Sequence, residues 1–181
     1  MPRYVPMAPR LVREPFHRAD WVYEEKVDGW RILAYKNGAR VRLVSRNGVD
    51  HTQRFRDLAM AVTKLSARTL VLDGEVAIFD EHLRSRFDWL REPDPKVVST
   101  PPVFIAFDLL YRDGRDLSGR SLRDRRAQLE DLITTAPWLS LLVVSRRTDS
   151  RRGLRSLSTT TKAWSRRTRP APTKAGRLAG G

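Results

Sequence analysis

A chain of 181 residues, 40% of them apolar, is long enough to form a full-sized domain with its own core. It contains no cysteine, which excludes disulfide scaffolds, thiolate metal sites and cysteine nucleophiles. No stretch of 18 consecutive apolar residues is present, so we expect a cytoplasmic protein without a membrane partner.

The formal net charge of +14 is unevenly distributed. Residues 145–181 hold 11 Lys or Arg against one acid, a net of +10, whereas residues 1–144 hold 24 basic and 20 acidic residues, a net of +4. The few large apolar residues after Val144 show no period, so that segment cannot offset its ordering entropy. We therefore predict a domain over residues 1–144 and a basic, disordered tail over 145–181.

The first half of the chain predicts one hairpin and one helix after an irregular, Pro- and Arg-rich lead-in over residues 1–20. Asn37-Gly38 separates two alternating segments, which is a strong short-range hairpin signal. Apolar residues then recur at helical spacing. The predicted elements are strands over 21–27, 31–36 and 40–45, and an amphipathic helix over 53–66.

The second half predicts further strands and helices. Asp73 and Glu75 share one parity of a predicted strand and therefore leave the same face. The helix over 122–133 exposes Asp124, Arg125, Arg126 and Glu130 in this prediction. The predicted elements are strands over 69–80, 103–111 and 138–144, a linker over 84–100 with a short helix near 87–90, a turn at Asp113-Gly114, and that helix. Together they predict an α+β fold with antiparallel sheets flanked by helices.

The stretch Glu24–Arg31 places a lysine in an unusual setting, between acidic residues and directly before an Asp-Gly turn. In an extended strand, Glu24, Lys26 and Asp28 would share one face. A lysine attacks only after it loses its proton, and its unperturbed pKa is about 10.4. A bound metal would neutralise the carboxylates and lower that pKa. Lys26 is therefore either a nucleophile that acts beside a metal–triphosphate complex or a surface lysine beside a reverse turn.

Three later stretches each admit a ligand or a purely structural interpretation. Arg46, in the turn over residues 45–48, suits a phosphate or a ribose hydroxyl but is also compatible with an ordinary turn. Asp73-Gly74-Glu75 indicates either a bulge with solvated acids or the close approach of a ligand. Phe107 could stack on a purine or belong to the core.

Taken together, these stretches resemble the covalent nucleotidyltransferases, and most closely the ATP-dependent DNA ligases of the bacterial end-joining type. Residues 26–31 are similar to the family's first motif, Lys-x-Asp-Gly-x-Arg. Residues 45–48, 73–75 and 107–111 are similar to the next three motifs. Order and spacing agree over about residues 5–144.

The resemblance implies a nucleotidyltransferase adenylation domain, ATP-grasp-like, that uses ATP and Mg²⁺ or Mn²⁺. Lys26 would accept AMP, AMP would pass to the 5′-phosphate of nicked or broken double-stranded DNA, and the 3′-hydroxyl would then displace it. End-binding repair proteins are the implied partners. The implied nucleotide-binding residues are Glu24 at the adenine edge, Arg31, Arg46 near the sugar and DNA phosphate, Glu75 at ribose or metal, and Phe107 on the adenine ring, supported by Asp28, Gly29 and Asp73.

The resemblance ends near Val144. The family's Glu-Gly and Lys-x-Lys motifs and its oligonucleotide-binding barrel should follow, yet residues 145–181 contain neither motif. A reading-frame change or a truncation would produce such a segment, and a true nucleic-acid-binding tail is the alternative. We expect an adenylation domain that is incomplete at its C-terminus, has weak or no ligase activity, and exposes apolar sheet surface prone to aggregation.

Other classes remain open. An RNA ligase or a capping guanylyltransferase would share the lysine motif, and a non-catalytic basic fragment could bind nucleic acid through its tail. A serine hydrolase or a zinc enzyme is disfavoured, because His17, His51 and His82 are scattered without ligand spacing. We expect each histidine on the surface.

Overall fold

The computed structural model describes residues 1–6, 26–92, 96, 99–134 and 142–144. Its elements, in chain order, are β1 (Trp30–Asn37), β2 (Arg40–Ser45), α1 (Arg56–Thr63), β3 (Thr69–Ala77), a 3₁₀ turn (Asp88–Leu90), β4 (Val103–Arg112), β5 (Arg115–Asp116), α2 (Leu122–Thr134) and β6 (Leu142–Val144).

Within the described residues, the six strands form one sheet in the order β2-β1-β3-β4-β5, and β6 also pairs with β4. Every pairing along that order is antiparallel, whereas β6 runs parallel to β4. The α+β prediction is confirmed, with a single mainly antiparallel sheet in this part of the chain. None of the helices described is long and apolar enough to cross a membrane.

Local turn chemistry explains the two hairpins. Gly38, with φ at +58°, joins β1 to β2, and their register closes on Asn37 opposite Arg40. Asp113 and Gly114 have φ values of +45° and +87° and join β4 to β5. Both residue types adopt the left-handed region more readily than others, as these tight turns require. The predicted hairpin and the predicted turn at Asp113-Gly114 are confirmed.

One face of the sheet packs against both helices. Ile32 of β1 and Leu72 of β3 are fully buried in a cluster with Leu58 of α1 and Leu129 of α2. Burying such a side chain stabilises the fold by about 1.5–3 kcal/mol. Lys36 is also buried on this side, where its ammonium donates to the Leu65 carbonyl just after α1, and burial lowers its pKa. We call this side the helix face.

The opposite side of the sheet, which we call the open face, is covered over one part by the N-terminal segment. Leu33, Val71 and Leu110 pack there with Tyr4. The Tyr4 backbone N–H donates to the Tyr35 hydroxyl at 3.1 Å, and the Tyr4 hydroxyl donates to the Leu110 carbonyl at 3.4 Å. The alternate residues Arg31, Asp73 and Glu75 occupy the remaining part of this face.

Two predicted strands change at their ends. Lys26 and Val27 are not in a strand, so the strand predicted over 21–27 is wrong at its end; residues 21–25 lie outside the described residues. The Asp28 backbone N–H donates to the Ser85 hydroxyl at 3.0 Å rather than to a neighbouring strand. The strand predicted over 69–80 ends at Ala77, because Asp80 turns the chain by accepting the N–H groups of His82 and Arg84.

The prediction that α2 exposes both of its adjacent arginines is wrong. Arg125 and Arg126 are 3% and 0% exposed. Arg125 pairs with Asp108 of β4, and Arg126 donates to the Phe107 carbonyl at 2.7 Å. A buried carboxylate needs a cation and hydrogen bonds, so Arg125 turns inward. Asp124 and Glu130 are exposed as predicted.

The other boundaries differ less. The predicted helix over 53–66 is confirmed in shorter form, and the short helix near 87–90 is a 3₁₀ turn. Only residues 142–144 of the strand predicted over 138–144 are described. The tail predicted over 145–181 lies outside the described residues, as do residues 7–25 of the lead-in.

Candidate active site

An arginine–aspartate pair forms the centre of the polar part of the open face. Adjacent strands position it: Arg31 lies on β1 and Asp73 on β3. Arg31 Nε lies 2.6 Å from Asp73 Oδ1, and a second guanidinium nitrogen lies 2.8 Å from Oδ2. Their side chains are 12% and 2% exposed. This bidentate geometry orients the guanidinium plane firmly.

Phe107 of β4 lies against the same guanidinium, whose carbon is 4.1 Å from the ring centroid. The β3–β4 register skips one β4 residue at this position, because Asp73 pairs with Asp108 while Gly74 pairs with Ala106. Such a bulge re-aims the side chains beside it. Arg31 covers one face of the Phe107 ring by a cation–π contact, so a purine would have to use the other face.

Glu75 lies on β3, two residues beyond Asp73 and directly opposite Arg31 in the register. Burial raises the pKa of its carboxyl to about 7, while the positive charges of Arg31 and Lys26 act in the opposite direction. Near neutral pH this group can therefore hold or release a proton. A bound cation would favour the charged form.

Lys26 precedes β1 on an irregular stretch that we call the lysine loop, residues 26–29. Its Nζ lies 3.2 Å from Asp28 Oδ1, and the two side chains are 35% and 59% exposed. Because the Lys26 charge acts on the Glu75 carboxyl, the lysine lies at the Glu75 end of the open face. The hydrogen bond from the Asp28 backbone N–H to the Ser85 hydroxyl also holds the loop in place.

Gly29 is required by the close approach of the lysine loop to β3. A Cβ at this position would lie 2.2 Å from the Val76 carbonyl oxygen and 2.9 Å from Glu75 Cγ. Gly74 is equally constrained, since its Cβ would lie 2.6 Å from both the Ile105 carbonyl and the Phe104 ring. The close neighbour of Gly74 is thus strand β4. The glycine is explained by strand packing and does not require a ligand.

The structure brings together Lys26, Arg31, Asp73, Glu75 and Phe107, with Asp28 and Gly29 in the loop that carries the lysine. Arg46 is exposed in the turn after β2, where the Gly48 N–H donates to the Ser45 carbonyl at 2.9 Å. Ser45 pairs with Ile32 in the β1–β2 register, so Arg46 follows the end of β2 at the level of Arg31. Glu24 lies outside the described residues.

A divalent cation has few protein ligands here. No cluster of three or more His, Cys, Asp or Glu side chains occurs among the described residues, and Arg31 already binds Asp73. Magnesium commonly takes one or two carboxylates and completes its shell with phosphates and water. Glu75 and Asp28 fit that modest requirement only when a phosphate ligand supplies further oxygens.

Histidine plays no part in this group. His82 is exposed as predicted. His51 is partly exposed, since its ring packs 5.1 Å from that of Trp30 and 6.2 Å from that of Phe55, so its surface prediction holds only in part. His17 lies outside the described residues.

Sequence reasoning missed Ser85 and the role of Arg125. Nothing near Ser85 in the sequence indicates its contact with Asp28, which lies 57 residues away. For Arg125 a signal exists: Asp108 interrupts an otherwise apolar run in the strand predicted over 103–111, and a buried carboxylate requires a cation. The helix next in sequence carries that cation.

Comparison with known proteins confirms the resemblance to ATP-dependent DNA ligases. The family described as ATP dependent DNA ligase domain matches residues 7–162. The multifunctional non-homologous end joining protein LigD of Pseudomonas aeruginosa is 37% identical over 134 residues, which are 74% of this chain and 16% of that protein. DNA ligase C of Mycobacterium tuberculosis is 34% identical over 143 residues, with 74% of this chain and 40% of that protein covered.

Solved structures give the same result. A mycobacterial DNA ligase D complexed with ATP and MES superposes with a TM-score of 0.67 at 31% identity, covering 81% of this chain and 46% of that one. The ligase domain of LigD from M. tuberculosis gives 0.58 at 32% identity, covering 72% and 41%. The chain therefore spans less than half the length of each of these relatives.

Proposed function

The chain belongs to the ATP-dependent DNA ligase domain family, and from this premise we propose that its open face binds ATP and that Lys26 accepts AMP. One observation carries the proposal most directly. Gly29 of the lysine loop packs against β3 at Glu75 and Val76, and the charge of Lys26 acts on the Glu75 carboxyl, two residues along β3 from Asp73.

The reaction forms a bond between Lys26 Nζ and the α-phosphorus of ATP and breaks the bond from that phosphorus to pyrophosphate. Lys26 must first give up a proton, and the ion pair with Asp28 at 3.2 Å favours its charged form until a bound metal neutralises that carboxylate. The product is a lysyl-adenylate. Positioning and charge neutralisation, rather than covalent work by other residues, supply most of the catalysis in such transfers.

We assign the supporting roles as follows. Arg31, held rigidly by Asp73, presents positive charge to the nucleotide, and Phe107 offers its uncovered ring face to the adenine. Glu75 contacts the ribose or the metal, Glu24 the adenine edge, and Arg46 the sugar or the DNA phosphate. Magnesium, held through Glu75 together with the ATP phosphates, would neutralise charge on the triphosphate.

The later steps extend the proposal to DNA. AMP moves to a 5′-phosphate at a nick or broken end, and the 3′-hydroxyl then displaces it to seal the strand. We propose this activity for DNA repair and recombination in the cytoplasm, with end-binding repair proteins as partners. The names of the end-joining relatives support this setting.

We expect adenylation by this chain to be slow. The residues after Val144 contain no Glu-Gly pair and no Lys-x-Lys sequence. Removing one transition-state contact of this kind typically costs about 10²–10³ in rate. Long incubations at saturating ATP are therefore needed.

The test is covalent labelling with ATP labelled at the α-phosphate, in magnesium, followed by peptide mapping. We expect slow label on Lys26 that Lys26→Ala abolishes. Lys64→Ala, which removes an exposed lysine just after α1, is the matched control and should keep the label. Label at another residue, label that survives Lys26→Ala, or preference for GTP would each contradict the proposal.

A further inference from the structure

A cleft of about 590 Å³ lies on the open face, between the N-terminal segment and the β1–β2 hairpin. Its floor is mainly apolar and includes Leu33, Tyr35 and Val44. Its rim carries four arginines, namely Arg3, Arg40, Arg42 and Arg46, and no acidic residue lines it in the described part of the chain. All four arginines are exposed.

Among the described residues, the charge of this rim is largely uncompensated. Arg42 pairs with Asp50 at 2.9 Å, but both side chains are well exposed, at 59% and 42%. An exposed pair of this kind contributes little and is readily exchanged for another anion. Arg3 lies near enough to Tyr35 for its charge to oppose the rise that burial causes in the tyrosine pKa, which places it over the cleft floor. The cleft is therefore built for an anionic ligand.

The length of the arginine row identifies the class of anion. Arg40 begins β2, Arg42 follows on the same face, and Arg46 lies just past the strand end. At about 3.3 Å per residue, this row spans about 20 Å. A nucleic-acid strand carries one phosphate per about 3.4 Å of helix axis, so the row covers several nucleotides. A single nucleotide is too short to use all of it.

The cleft is also continuous with the candidate active site. Leu33 and Tyr35 line it, and they follow Arg31 at alternate positions on the same face of β1. A strand whose 5′-phosphate reaches Arg46 would thus continue along the hairpin, away from Lys26. The apolar floor beneath the arginines suits the deoxyribose groups of that strand.

We infer that this cleft binds the phosphate backbone of the DNA strand that carries the 5′-phosphate, and that Arg3 and Arg40 are phosphate-contact residues. The direction in which the DNA strand runs along the hairpin rests on the proposed function. It adds a binding surface that the lysine, glutamate and phenylalanine motifs do not predict.

The experiment compares two charge-matched double variants of the full chain. The cleft variant is Arg3→Gln with Arg40→Gln. The control is Arg56→Gln with Arg91→Gln, which removes the same charge from exposed positions on α1 and after the 3₁₀ turn. Binding of a nicked duplex with a 5′-phosphate is measured from 50 to 200 mM salt. The basic segment after Val144 is identical in all proteins, so the difference isolates the cleft.

We expect the slope of log affinity against log salt to fall by up to about 1.8 in the cleft variant, since each phosphate contact contributes about 0.9. The control should retain the wild-type slope. Equal loss in both variants, no loss in the cleft variant, or absence of wild-type binding at 50 mM salt overturns the inference. So does tighter binding of an RNA duplex of the same sequence.

ATP labelling of Lys26, measured in parallel, separates the two proposals. The cleft variant should label as the wild type does, because neither substituted arginine touches the Arg31–Asp73 group. A wild-type salt slope in the cleft variant, with labelling of Lys26 intact in the wild type, would refute the cleft alone. Loss of labelling in the wild type would refute the proposed adenylation and leave the cleft measurement valid.

Discussion

Two bidentate arginine–aspartate pairs lie on opposite faces of the same sheet and differ in their surroundings. On the helix face, Arg125 and Asp108 are 4% and 1% exposed, and Arg125 also donates to the Arg120 carbonyl at 2.6 Å. On the open face, Arg31 and Asp73 are 12% and 2% exposed, and Arg31 lies over Phe107 and opposite Glu75.

The two aspartates are direct cross-strand partners in the β3–β4 register. Like charges in that position repel. The register shift beside them allows each carboxylate to bind a different arginine. The same irregularity places Phe107 against Arg31. One pair thus joins α2 to the sheet, while the other forms the centre of the site.

The largest expected effect comes from breaking each pair in turn. Arg125→Ala and Arg31→Ala each leave a buried carboxylate without its cation, which typically costs about 3–5 kcal/mol of unfolding free energy. Denaturant unfolding should show both losses. When the label on Lys26 is divided by the amount of folded protein, Arg125→Ala should retain the wild-type value. Arg31→Ala should abolish labelling. Equal labelling by the two variants would remove the functional distinction between the pairs.

The pH dependence of stability should sharpen the comparison, because Glu75 accompanies only the open-face pair. Its folded-state pKa, about 7, lies above its ordinary value of 4.5. Between these pH values the folded protein therefore holds a proton on Glu75 that the unfolded chain has released. The contribution of this carboxyl to the free energy of unfolding is complete below pH 4.5 and is lost as pH rises through 7.

Without magnesium, unfolding free energy should fall by on the order of 2–3 kcal/mol over this interval from Glu75 alone. Glu75→Gln should flatten the pH profile. Glu130→Gln, at an exposed position on α2, should leave it unchanged. A steep profile that persists in Glu75→Gln would assign the titration to another group.

A glycine pair tests the packing of the lysine loop. Gly29→Ala would place a methyl group 2.2 Å from the Val76 carbonyl oxygen, so the loop must shift. We expect a loss of about 1–3 kcal/mol, as for other overpacked sites, together with weaker labelling. Gly119→Ala meets open space and should alter neither quantity. Wild-type thermal stability in Gly29→Ala would contradict the close approach of the loop to β3.

The smallest expected effect concerns Ser85, which we expect to position the lysine loop. Ser85→Ala removes the acceptor of the Asp28 N–H, a bond worth about 1 kcal/mol. Hydrogen exchange at the Asp28 amide should accelerate about fivefold, the equivalent of that free energy, and labelling should slow by a similar factor. Ser85→Thr keeps the hydroxyl and should restore both. Exchange that is unchanged in Ser85→Ala would show that the bond does not hold the loop.

The sequence by itself determined the local structure and the identity of the candidate site. The hairpin over residues 30–45 and the helix α1 follow from turn residues and apolar spacing, which act between near neighbours. The resemblance to the ligase family, carried by motifs in the sequence, predicts Arg31, Asp73, Glu75 and Phe107 as site residues, and the structure brings them together on one face. These features need no knowledge of distant contacts.

Tertiary structure decided the rest. Arg125 and Arg126 lie on a helix whose pattern predicts exposure, yet a buried aspartate 17 residues before Arg125 draws that arginine inward. The lysine loop leaves the strand because Ser85, 57 residues away, accepts the Asp28 N–H. His51 is partly covered by the rings of Trp30 and Phe55. In each case the partner comes from another element. The hydrogen bonding of a polar group or the packing of a ring outweighs the structure that the local sequence pattern predicts.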